Sequence, residues 1–83
     1  MLLRDLFLSK NITQSEVSKE LANLKCYKHQ QQISEWINGI RTPDAFSIYC
    51  LSKVLGVSAD EVLEASLKSA GRLWEFKLGW FYL

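Results

Sequence analysis

Ile33, Trp36 and Ile37 stand at i, i+3 and i+4, directly behind three consecutive glutamines, Gln30, Gln31 and Gln32. A period of 3.6 puts the apolar residues on one helix face and turns Gln30, Gln31, Ser34, Glu35 and Asn38 to the other. The segment from His29 to Asn38 is therefore a short helix with Gly39 as its stop. One side must be buried, and the other presents a polar ridge with a single charge. The chain has 83 residues in which to supply the burying partner. A chain of that size hides roughly 60–70 % of its unfolded surface, enough for one domain. Its composition, 48 % hydrophobic and 23 % charged, is that of an ordinary globular protein rather than a disordered one.

The remaining segments also read as helices. Leu2, Leu3, Leu6 and Phe7 share one face of a first helix that ends near Lys10 and Asn11. Thr13-Gln14-Ser15-Glu16 has the form of a capping box, opening a second helix with Val17, Leu21 and Leu24 as its buried face and an end within 23–27. Thr42-Pro43 predicts the start of a fourth helix, with Ala45, Ile48, Tyr49, Ser52 and Leu55 inward and Gly56 closing it. Ser58-Ala59-Asp60-Glu61 is a second capping box. It opens a fifth helix that buries Val62, Leu63 and Leu67 and stops near Gly71. From Arg72 onward the period changes to two: Trp74, Phe76, Leu78, Trp80 and Tyr82 alternate with Glu75, Lys77, Gly79 and Phe81. That pattern predicts a strand. The expected organisation is an all-α, five-helix domain over 1–71 and a hydrophobic C-terminal extension over 72–83.

Several classes of function find no support in the residues. The single histidine, His29, opens a helix with no cysteine or carboxylate at triad or ligand spacing, and glycines 39, 56, 71 and 79 form no phosphate loop. Asp60, Glu61 and Glu64 read as acids in a helix first turn, where the dipole favours them. Cys26 and Cys50 show neither a zinc spacing nor a disulfide framework, and Cys50 reads as a small core hydrophobe. No catalytic residue, metal or cofactor is expected. With charges at Arg4 and Asp5, the N-terminus does not read as a signal peptide, and no apolar run approaches the roughly 20 residues of a membrane span. The expected location is cytoplasmic.

Net charge is only +1, but it is unevenly spread. Residues 1–41 hold six basic side chains against four acids, and residues 42–70 hold two against four. The first part could face phosphate, although two solvated faces would look the same. The ridge of the third helix adds chemistry. Glutamine offers a paired donor and acceptor that matches the N6/N7 edge of adenine, and glutamate can accept from cytosine N4.

The order Thr13-Gln14, Val17-Ser18, Gln31-Gln32-Ile33-Ser34, Trp36, Gly39, Arg41, Pro43 and Leu55-Gly56-Val57-Ser58 resembles the Cro/CI-type, XRE-like helix-turn-helix of phage repressors and bacterial regulators. The resemblance covers residues 13–63. It implies a lambda-repressor-like bundle that docks its third helix in the major groove of double-stranded DNA. By position it assigns base reading to Gln30, Gln31 and Glu35, with Ser34 beside them. Phosphate contacts fall to Asn38, Arg41 and Gln14, the last of which could instead brace Gln30. His29 sits at the helix start near phosphate, and Lys28, like Lys25, either touches phosphate or lies in a solvated loop. Gln32 receives no role.

Three departures accompany the resemblance. The link over 22–28 is longer than the usual tight turn. The family's acid after the tryptophan position is Ile37, and its first-helix arginine partner falls at Phe7, which predicts an apolar contact in place of a buried ion pair. Glu35 places a negative charge on the DNA face. Relatives bind as dimers to half-sites about 34 Å apart, so Trp74, Phe76, Leu78, Trp80 and Tyr82 are candidates for pairing across a two-fold axis, unless the tail folds back on its own helices. The implied function is a sequence-specific transcriptional regulator, a phage-type or mobile-element repressor acting by promoter occlusion as a homodimer. Two other readings stand beside it: an antitoxin that represses its own operon and binds a toxin, and a protein-binding module that has lost DNA binding.

Overall fold

Helix boundaries follow from local capping chemistry. The computed structural model describes residues 2–71, which form α1 (Leu3–Ser9), α2 (Gln14–Asn23), α3 (Gln30–Ile37), α4 (Ala45–Leu55) and α5 (Ala59–Ser69). The described residues contain no strand. The strand expected over 72–83 lies outside the described residues, as do its pairing candidates Trp74, Phe76, Leu78, Trp80 and Tyr82. At α2 the capping box is complete: Glu16 N donates to Thr13 Oγ1, and Thr13 N donates to Glu16 Oε1, both at 3.1 Å. At α5 only its first half forms, with Glu61 N donating to Ser58 Oγ at 3.1 Å.

The start of α4 differs from the expectation. Its cap is Asp44, whose Oδ1 accepts from Ser47 N at 2.8 Å, so Thr42 and Pro43 precede the helix. Asp44 has extended backbone dihedrals and a carboxylate that accepts well, which makes it a full N-cap two residues further on. The buried face of α4 is also different. Ser47, Cys50, Leu51, Ser52 and Leu55 point inward, Ile48 is half-buried, and Ala45 and Tyr49 are exposed. Residues 45–51 are apolar on nearly every side, so periodicity alone does not select a face. Packing selects the one carrying the small Ser47 and Cys50, where Cys26 approaches to 3.7 Å from Ser47 Oγ.

One core joins the helices: Leu3, Leu6 and Phe7 from α1, Val17 and Leu21 from α2, Cys26 from the link, Ile33 and Trp36 from α3, Cys50, Leu51 and Leu55 from α4, and Val62 and Ala65 from α5. Leu2 and Leu24, expected inward, are 40 % and 39 % exposed. Leu63 and Leu67 are half-buried, while Ala65 and Ser66 join Val62 as the buried residues of α5. The buried hydroxyls of Ser52 and Ser66 donate to the carbonyls of Tyr49 and Val62 on their own helices, so they enter the core without an unmet donor. α5 packs on α4, α1 and α3, and α2 packs on α3 and α4.

Candidate nucleic-acid interface

Residues 24–29 separate α2 from α3, a longer connection than the three or four residues of a tight helix-turn-helix. The extra length is firmly held. Lys25 adopts φ +66°, its N–H donates to Ala22 O at 3.0 Å, and Cys26 N donates to Leu21 O at 2.9 Å. These are the paired bonds of a Schellman motif, with a lysine where glycine is usual. The motif brings Cys26 into the core beside Leu21. Beyond it, Ser18 Oγ of α2 donates to Lys28 O at 2.8 Å, and Lys28 Nζ lies 3.5 Å from Asp44 Oδ2. Hydrogen bonds from Ser47, first from its backbone and then from its side chain, hold the Asp44 carboxyl below its ordinary pKa, and Lys28 adds to this. The link is thus pinned to α2 at one end and to the start of α4 at the other.

Pinned in this way, α3 turns its faces as its sequence dictates. Ile33 is 0 % exposed and Trp36 5 %, while Ile37 is half-buried against the core. Gln30 and Gln31 are exposed and make no side-chain hydrogen bond to any described residue. Ser34 and Glu35 are half-buried and engaged: Ser34 Oγ accepts from Asn38 Nδ2 at 3.3 Å, and Glu35 Oε2 lies 3.5 Å from Arg41 Nε. Gln32 has a local role, since its Oε1 accepts from His29 N at 2.9 Å and closes the first turn. His29 itself is exposed at the N-cap position.

The residues assigned to phosphate fall into two groups. Lys28, His29 and Arg41 flank the two ends of α3. Gln14, the first residue of α2, lines a groove together with Asn38, the C-cap of α3; no hydrogen bond joins Gln14 to Gln30. Arg4, to which the sequence reading gave no role, is in the same groove and donates from Nη2 to Asn38 Oδ1 at 3.2 Å. Its signal in the sequence was its place one turn before Phe7. Phe7, 3 % exposed, belongs to the core against which Ile37 packs, and both line this groove, so these two positions are apolar where α1 meets α3. Gly39 ends α3 at φ +74°, and a Cβ there would collide with the carbonyl of Ser69. The end of α3 therefore lies directly on the last turn of α5.

An all-helical domain with a pinned helix pair, the second helix showing a polar face to solvent, defines a helix-turn-helix DNA-binding unit. Comparison with known families agrees: residues 3–62 match the helix-turn-helix family HTH_3. The chain belongs to that family, of the Cro/CI-type, XRE-like kind, and is a DNA-binding transcription regulator. Neither the curated proteins nor the solved structures give a match. Among the described residues no helix is long and apolar enough to cross a membrane.

Proposed function

We propose that the protein is a repressor that reads bases with Gln30, Gln31, Ser34 and Glu35 and anchors the duplex through Gln14, Lys28, His29, Asn38 and Arg41. The observation that carries this reading is the pose of α3. Burial of Ile33 and Trp36 leaves Gln30 and Gln31 exposed at its N-terminal turn, with their amides unengaged by any described residue, and that turn is the part of a recognition helix that meets base edges. Phosphate contacts would set the register and the glutamines the sequence. The regulator is of the phage or mobile-element kind. It acts as a homodimer that occludes a promoter, with Trp74, Phe76, Leu78, Trp80 and Tyr82 supplying the pairing.

Selection of bound duplexes from a random pool tests the base-reading assignment. Gln30→Ala and Gln31→Ala should each lose discrimination at one base pair, about 1–3 kcal/mol for a bidentate contact. An equal loss on every sequence would remove the glutamines from base reading. Sedimentation of a chain ending at Gly71 tests the pairing: a monomer is expected, and an unchanged dimer would rule the tail out as the interface.

A further inference from the structure

The groove between α1 and α3 brings together the polar ends of three elements. Phe7, Leu8, Ile12 and Ile37 give it apolar walls, and Arg4, Thr13, Gln14 and Asn38 give it a polar rim. No acidic residue lines it among the described residues. The side chain of Asp5, the nearest acid in sequence, accepts from Leu2 N at 3.3 Å. Arg4 differs from Lys28 and Arg41 in what holds it. Those two are already paired with Asp44 and Glu35, whereas among the described residues Arg4 is held by the neutral amide of Asn38 rather than by a carboxylate. The family resemblance implies an arginine–acid bridge between the first and third helices at the Phe7 and Ile37 positions. Here that junction is apolar, and the arginine contact is displaced by one turn onto an amide. A guanidinium has more donors than the single bond to Asn38 uses, in a planar fork suited to phosphate oxygens.

We propose that this groove seats one phosphate of the DNA backbone, with the Arg4 guanidinium as its charged ligand and the Gln14 and Asn38 side chains beside it. Asn38, bonded to both Arg4 and Ser34, fixes that phosphate relative to the base-reading face. The proposal rests on the DNA-reading assignment of α3 and extends the anchored strand to α1, which the sequence reading left out.

The test uses the full chain in fluorescence-anisotropy titrations across a salt series, with the selected duplex and a scrambled duplex of equal length. Each phosphate neutralised adds about 0.9 to the slope of log K against log salt. Arg4→Gln should therefore flatten the slope by about 0.9 per bound subunit, about 1.8 for the proposed homodimer, on both duplexes and leave the ranking of sequences unchanged. Arg4→Lys should keep the slope while losing affinity, since it retains the charge but not the fork. An unchanged slope and affinity in Arg4→Gln would overturn the proposal while the α3 assignment stood. A changed sequence ranking at constant slope would also overturn it, and would make Arg4 a positioning residue acting through Asn38. If the wild-type chain bound neither duplex in a salt-dependent way, this proposal and the base-reading one would fall together.

Discussion

Replacing Lys25 with glycine should stabilise the protein. Lys25 is exposed and sits at φ +66° as the left-handed residue that ends α2. Left-handed backbone costs a residue bearing Cβ roughly 1–2 kcal/mol. Glycine escapes that cost but loses about 0.5–1 kcal/mol through its greater freedom when unfolded. The net gain is roughly 0.5–1 kcal/mol, which in a domain of this size raises Tm by about 2–8 °C. Thermal unfolding by circular dichroism reads it, with Lys25→Ala as the control: alanine removes the charge but keeps Cβ, so its Tm should stay near that of the wild type. A glycine variant no more stable than the alanine variant would refute the reasoning, because residue 25 would then carry no left-handed strain for glycine to relieve.

Three further outcomes follow from the same geometry. Gly39→Ala should cost roughly 2–5 kcal/mol, combining left-handed strain with a collision against backbone, and unfolding in urea should show a midpoint lowered to match. Asp44→Ala should cost about 1 kcal/mol through the lost cap of α4, while Asp44→Asn retains most of it; because the folded Asp44 carboxyl titrates below its ordinary 3.8, the stability tied to its charge is present above that pH and lost as pH falls through the lower folded value, so acid titrations of wild type and Asp44→Asn should converge there. Cys26 and Cys50 are buried, and desolvation, followed by the neighbouring Cys26 thiol, raises Cys50 above its ordinary 9.0. Maleimide labelling at pH 8 should therefore be slow without urea and fast with it, and stability should decline as pH rises past 9.0 toward the folded value; labelling at the rate of a free thiol in the native protein would contradict this.

Much of the fold was legible because its signals are local. The Thr13 and Ser58 caps, the end of α3 at Gly39 and the inward set Ile33 and Trp36 each depend on residues within one or two turns. Where the sequence misled, the deciding interaction was tertiary. α4 is apolar on almost every side, so the approach of Cys26 to Ser47, rather than the period of α4, chose its buried face. The link after α2 hid its turn because lysine, not glycine, occupies the left-handed position. Within the site, the outward glutamines could be read from spacing. The bond from Arg4 to Asn38 could not, because it joins residues 34 apart in sequence whose proximity exists only once α1 and α3 have packed.

Under the base-reading assignment proposed above, Glu35 shows how a chain of net charge +1 can carry an acid on a DNA-facing surface. Its carboxylate lies 3.5 Å from the Arg41 guanidinium, and the arginine side chain is 73 % exposed. A pair so open to water contributes about 0–1 kcal/mol and weakens with salt, so it gives way easily when a stronger partner arrives. A DNA phosphate is such a partner for Arg41, and a cytosine amine is one for Glu35. We propose that this pair holds both charges together in the free protein, and that on a matching duplex the two side chains part toward opposite targets. On a duplex without cytosine at that position, Arg41 can leave only by exposing Glu35 unpaired beside the phosphates. The acid then opposes binding where the base is wrong. On this proposal a residue that looks unfavourable for affinity is a discriminator, because its cost is removed by one base and kept by the others.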